Sequence, residues 1–73
     1  MFELTNCEYV LLNEVKNNAL KPEDIAKTYS LALRSQEKVN WKKVNAAIVK
    51  RWSFTILEKI KREAWERIEC QTL

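Results

Sequence analysis

Histidine and glycine are absent from this 73-residue chain, proline occurs once and cysteine twice. Each shortage closes off a class of protein. Without glycine, the tight turns of a β-rich fold lose the residue that takes positive φ at no steric cost, and every glycine-rich phosphate loop falls away. Without histidine, no imidazole is available as a base for Ser30, Ser35, Ser53 or Cys7, so a hydrolytic triad is not expected. Two cysteines near opposite ends cannot make a zinc site. The carboxylates occur singly along the chain, without the clustering that a hard cation needs.

Long apolar runs are missing too. No stretch approaches the roughly 20 apolar residues of a membrane span, and no basic region followed by an apolar run opens the chain. The expectation is an intracellular, cytoplasmic protein with both thiols reduced. Cys7 then reads as a small core residue and Cys70 as a tail residue. A disulfide between them, stapling the ends of a small secreted domain, is the other reading of the pair.

What is present points to a single helical domain over residues 1–73. The apolar fraction of 47% is that of an ordinary globular protein. A chain this short buries only about 60% of its unfolded surface, so a partner or a staple is a common supplement. Four helices follow from the pattern of apolar residues and caps. The first covers about 6–18, with a Thr5–Glu8 capping box, a stripe of Cys7, Leu11, Val15 and Ala19, and an exit at Asn17-Asn18, where asparagine tolerates a left-handed backbone. The second covers about 22–35 and opens on Pro22, whose missing N–H has no partner to lose at a helix start. Glu23 and Asp24 suit the positive end of its dipole. Its face is Ile25, Tyr29, Ala32 and Leu33, with Leu31 pointing away. After a polar connector ending in Val39, Asn40 caps a third helix over about 41–52. Ser53, or alternatively Thr55, caps a fourth over about 54–69.

The stretch from Trp41 to Ile68 dominates the reading. It holds all three tryptophans. Trp41, Val44, Ile48 and Trp52 share one helical face, and Leu57, Ile60, Ala64 and Ile68 form the next helix's stripe. Phe54 and Trp65 widen that second stripe beyond what one neighbouring helix covers. Lys61 falls inside the widened arc, with its stem on the rings and its ammonium in water or against Trp65.

Charge is distributed unevenly. Residues 1–24 hold five acids against two bases, a net of −3, and residues 25–73 hold eleven bases against five acids, a net of +6. Such a split suggests a polyanionic or acidic partner, or an acidic front packed near a basic back. Lys42, Lys43 and Lys50 emerge on one side of the third helix around small Ala46. A helix approaching a DNA groove has this form. Asn45 is then placed to read an adenine edge, and Arg51 contacts phosphate. Lys59 and Arg62 extend the patch if the fourth helix runs alongside. The second and third helices would be a helix-turn-helix-like pair, although their connector lacks glycine and exceeds the usual 3–4 residues.

The expected function is therefore non-enzymatic binding of nucleic acid, without a cofactor or metal. Four short helices joined without a long loop leave little room for the shaped pocket that acid–base work needs. The alternative is a protein-interaction module such as an adaptor, inhibitor or assembly subunit. It would use the surplus apolar surface at Leu31, Phe54 and Trp65 with Lys61, with Tyr9 and Val10 also off the stripes. A homo-oligomer is one form of it. Membrane-surface binding by the fourth helix is the weakest reading, because acids are mixed among its bases.

Overall fold

The computed structural model describes residues 6–71, with side chains through residue 69. Thr5 of the expected capping box and the Cys70 side chain lie outside what is described. The described chain is four α-helices: α1 (Cys7–Lys16), α2 (Pro22–Arg34), α3 (Trp41–Arg51) and α4 (Phe54–Gln71). The expected helices are all there, with ends shifted by one or two residues.

The helices form a ring in the order α1, α2, α4, α3. Neighbours in the ring pack directly, and the two diagonal pairs do not approach within 8 Å Cα to Cα. The start of α1 lies against the start of α3, where the Asn40 N–H donates to Glu8 Oε2 at 3.0 Å. The ends of the same two helices meet where Arg51 Nη1 donates to Asn18 Oδ1 at 2.7 Å. Hence α1 and α3 run parallel, and the short connections make α2 and α4 run the other way. The helix-turn-helix-like pair expected of α2 and α3 does not form, because the two helices lie diagonally across the ring. The two helices meet through the long Tyr29 side chain, whose ring lies 4.9 Å from the Trp41 ring at a 44° tilt.

Each helix contributes branched or small residues to one core. Leu11, Val15, Ile25, Val44, Ile48 and Ile60 are its largest enclosed side chains, with Cys7 beside them. Each such residue contributes roughly 1.5–3 kcal/mol by leaving water. Trp41 and Trp52 pack against this core from its edge and are only partly buried, a less central place than their shared face suggested. The reason is steric. Four helices this short converge on a space that valine and isoleucine fill, and indole rings cover its margin.

The longest seam joins α2 to α4. Thr28 Oγ1 donates to Glu14 Oε2 at 2.6 Å, which marks one flank of α2 as the side facing α1. Helical spacing puts Ala26 and Ser30 on the opposite flank, toward α4, and both are buried. Ala64 is the enclosed small residue of α4. Small side chains let two backbones come close. The Ser30 hydroxyl is satisfied within its own helix by the Lys27 carbonyl at 2.7 Å.

The caps are partly local and partly not. Asn40 Oδ1 accepts the Lys43 N–H at 3.2 Å, and Ser53 Oγ accepts the Ile56 N–H at 3.2 Å. Both match expectation, and Ser53 rather than Thr55 caps α4. Val39 packs on the core just before the Asn40 cap, as a hydrophobic staple does. Asp24 Oδ2 accepts the Lys21 N–H at 3.3 Å. The start of α1 departs from expectation. Its first amides are met by Glu37 from the α2–α3 connector, whose Oε1 accepts the Asn6 N–H and also the Cys7 N–H at 3.3 Å. The Glu8 carboxylate serves the start of α3, and the Thr5 half of the expected box lies outside the described residues. Asn6 takes the left-handed backbone, φ 65°, whereas α1 leaves through an extended Asn17. The Asn17 Oδ1 then accepts the Ala19 N–H at 2.9 Å, an Asx turn that needs no positive φ.

Candidate nucleic-acid interface

The candidate surface is built on α3 and the part of α1 beside it. Val44 and Ile48 turn the inner face of α3 into the core, so its outer face must carry whatever lies half a turn away. Lys42, Lys43, Ala46, Val49 and Lys50 lie there, all exposed. Ala46 leaves a low point between the lysines. The structure thus brings Lys42, Lys43 and Lys50 together on one exposed face.

The seam between α1 and α3 is not closed like that between α2 and α4. It holds a series of shallow hollows. One, of about 310 Å³, is lined by Val15, Lys16, Ala47, Lys50 and Arg51. A second, of about 330 Å³, is lined by Tyr9, Leu12, Asn13, Lys16 and Lys43. Tyr9, Asn13 and Lys16 are spaced i, i+4, i+7 along α1, all exposed, so they form the α1 wall of the groove. Tyr9 and Lys16 were not among the expected site residues. Their own spacing was readable, but nothing in the chain announces that α1 lies parallel to α3 with this wall against the lysine face.

The lysines are not equally available. Lys43 Nζ lies 3.8 Å from Glu8 Oε1, with the side chains 63% and 28% exposed respectively. So open an ion pair contributes about 0–1 kcal/mol and holds the ammonium loosely. It is also where the acidic front meets the basic back within the molecule.

Two expected contact residues have internal duties. Asn45 Oδ1 accepts a hydrogen bond from Tyr29 Oη at 2.9 Å, so this half-buried amide links α3 to α2 and is not turned outward as a base reader. Burial pushes the Tyr29 hydroxyl above its ordinary value of 10.0, and the Asn45 bond offsets part of the rise. Arg51 lays its guanidinium over the Trp52 ring, 4.9 Å from the centroid, while its Nη1 holds Asn18 at the end of α1. It borders the hollow and braces it. The Arg51 Nε is enclosed and has no hydrogen-bond partner among the described residues.

Lys59 and Arg62 are exposed on the outward face of α4, between the exposed acids Glu58 and Glu66. They stand on a helix of mixed charge rather than on the lysine face. Of the partner-binding candidates, Phe54 and Trp65 are exposed on one flank of α4, and Leu31 stands apart on α2. Lys61 is half-buried between them. Its Nζ lies 3.8 Å from Glu58 Oε2, so its charge is answered by a carboxylate, and the cation–π contact forms at Arg51 and Trp52.

Among the described residues, no group of three or more histidines, cysteines or acids could hold a metal ion, and no helix is long and apolar enough to cross a membrane. No protein-family model matches the chain, and neither a curated protein nor a solved structure is significantly similar to it.

Proposed function

We propose that this domain binds nucleic acid by its phosphate backbone, across the outer face of α3 and the α1 wall beside it. One observation carries the reading. Lys42, Lys43 and Lys50 stand exposed on the outer face of α3 around Ala46, and Lys16, Lys43 and Lys50 line the hollows between that helix and α1. The acid that approaches them, Glu8, is already engaged by the Asn40 N–H and Lys43. Phosphate contacts supply affinity and orientation but read no sequence. With Asn45 held by Tyr29, the surface offers α3 no evident base reader, so binding is expected to be weakly selective. Tyr9, at the rim of the groove, gives one aromatic face on which an unpaired base can stack.

The test is binding to a labelled oligonucleotide across a salt series. Four neutralised phosphates give a slope of about −3.6 in log K against log salt on duplex DNA, so affinity falls on the order of a hundredfold between 50 and 200 mM. The variant Lys42→Glu/Lys43→Glu/Lys50→Glu keeps its helical signal and loses binding. Binding by that variant at wild-type strength would sink the proposal, as would a wild-type affinity indifferent to salt. The same titration with single-stranded DNA and with RNA separates the classes of nucleic acid. A Tyr9→Ala variant weakens only the single-stranded arms.

A further inference from the structure

One flank of α4 carries a stripe that becomes its own complement when reversed, the aromatic ends matching and the acid and base changing places. Phe54, Glu58, Lys61 and Trp65 follow at i, i+4, i+7 and i+11, within an arc of about 60° on the helix. Phe54 is 64% exposed and Trp65 53%. The order is aromatic, acid, base, aromatic. Its midpoint lies between Lys59 and Ile60. At 1.5 Å per residue, Phe54 and Trp65 stand roughly 8 Å to either side of it, and Glu58 and Lys61 roughly 2 Å.

A two-fold axis through that midpoint lays a second α4 antiparallel on the first. It sets Phe54 of each copy at the level of Trp65 of the other. It also sets Glu58 of each copy at the level of Lys61 of the other. We propose that the Phe54–Trp65 stripe is the interface of an antiparallel homodimer formed by α4 and its two-fold mate. The charges argue for a second copy rather than an unrelated helix. Any partner must meet an acid and a base in fixed order between two aromatic rings, and this stripe is its own complement. The ion pair that Glu58 and Lys61 make within one helix, at 3.8 Å, is exchanged for two pairs across the interface. A closed two-fold contact of this kind is isologous and stops at two chains. One helical stripe falls short of the roughly 800 Å² per partner of a standard interface, so the dimer dissociates on dilution. The inference rests on α4 alone and stands apart from the lysine face of α3.

Light scattering after size exclusion, without nucleic acid, measures it across a dilution series. The expected mass moves from the 8.7 kDa of one chain toward twice that as concentration rises. Trp65→Glu keeps the helical signal of the wild type and stays at one chain throughout. Glu58→Lys places like charges opposite each other in the homodimer, as does Lys61→Glu, and each weakens self-association about tenfold. An equimolar mixture of these two variants regains dimer mass, because each then supplies the charge the other lacks. Three results would overturn the proposal. One is a single-chain mass at every wild-type concentration. Another is undiminished dimerisation of Trp65→Glu. The third is a mixture that associates no better than its separate components.

Discussion

The two parallel-running pairs of this bundle are joined in different ways. The α2–α4 seam is the most extensive in the bundle, and Ala26 on α2 and Ala64 and Ile60 on α4 are all fully buried. The α1–α3 seam is held at its two ends by polar groups, and hollows lie between them. At one end Glu37 caps α1 and Glu8 bonds the start of α3. At the other, Arg51 reaches Asn18. On the proposed reading, the difference separates the residues of stability from those of binding. Polar clamps fix two helices at a set distance and keep the surface between them open. Substitutions in the first seam should therefore act on folding, and substitutions in the second should act increasingly on binding.

The largest effect is expected at Ile60, fully enclosed on α4, the helix that packs most extensively on α2. Ile60→Ala removes three buried carbons and leaves a cavity, at a cost of about 2–5 kcal/mol. A domain of this size has about 5 kcal/mol or somewhat more in total. Urea unfolding followed by circular dichroism should show most of the folded baseline lost. If the midpoint barely moves, the seam is looser than its burial implies. Under conditions where the variant is still folded, its oligonucleotide affinity should match that of the wild type.

An intermediate effect is expected at the polar clamp. Glu37→Ala withdraws the acceptor for the Asn6 and Cys7 amides, and losing a helix N-cap costs about 0.5–2 kcal/mol. The same corner gives the seam a pH dependence. Cys7 Sγ donates to Glu37 Oε2 at 3.3 Å. Burial, above all, pushes this thiol above its ordinary value of 9.0. The Glu37 carboxylate adds to the rise, and a hydrogen bond with Ser35 opposes it. The unfolded chain then loses its proton at lower pH than the folded one. The thiol's contribution is present in full below about pH 9 and is lost as pH climbs through the raised folded value. Tyr29 shifts in the same direction from 10.0, so the two losses reinforce each other. Melting temperatures measured from pH 7 to 11 should fall above about 9. They should fall less steeply in Glu37→Ala, where one cause of the thiol's shift is gone. An equally steep fall in both proteins would count against that link.

The contrast between the seams also explains what could be read from the chain. Local signals were legible. The i, i+4 recurrence of Leu11 and Val15, Pro22 at a helix start, and the caps at Asn40 and Ser53 act within a turn of their own positions. The exposure of Phe54 and Trp65 was legible too, as residues left over once a stripe was filled. The polar clamp was not. Glu37 caps a helix that begins 30 residues earlier, and Glu8 fits a local capping box by spacing while its carboxylate serves another helix. Asn45 and Arg51, beside the lysines of α3, read as base and phosphate contacts from their residue types alone. What holds Asn45 is the reach of a tyrosine from the diagonal helix, and what holds Arg51 is the end of α1. Such partners depend on which helices become neighbours, and local periodicity does not determine that.

The smallest effect on folding, and the sharpest division of the two properties, belongs to Lys43. Its pairing with Glu8 is open to water, so Lys43→Gln should change stability by less than about 0.5 kcal/mol. The Glu8 carboxylate keeps its hydrogen bond from the Asn40 N–H, and the start of α3 remains tethered to α1. Binding should respond differently, because one fewer phosphate is neutralised. The salt slope should become shallower by about 0.9, and affinity should fall with little regard to sequence. Urea titrations and salt-dependent oligonucleotide binding on the same preparation make the comparison directly. A variant that loses stability while keeping its salt slope would place Lys43 among the residues that hold the helices together. The open seam would then be a consequence of packing rather than a binding groove.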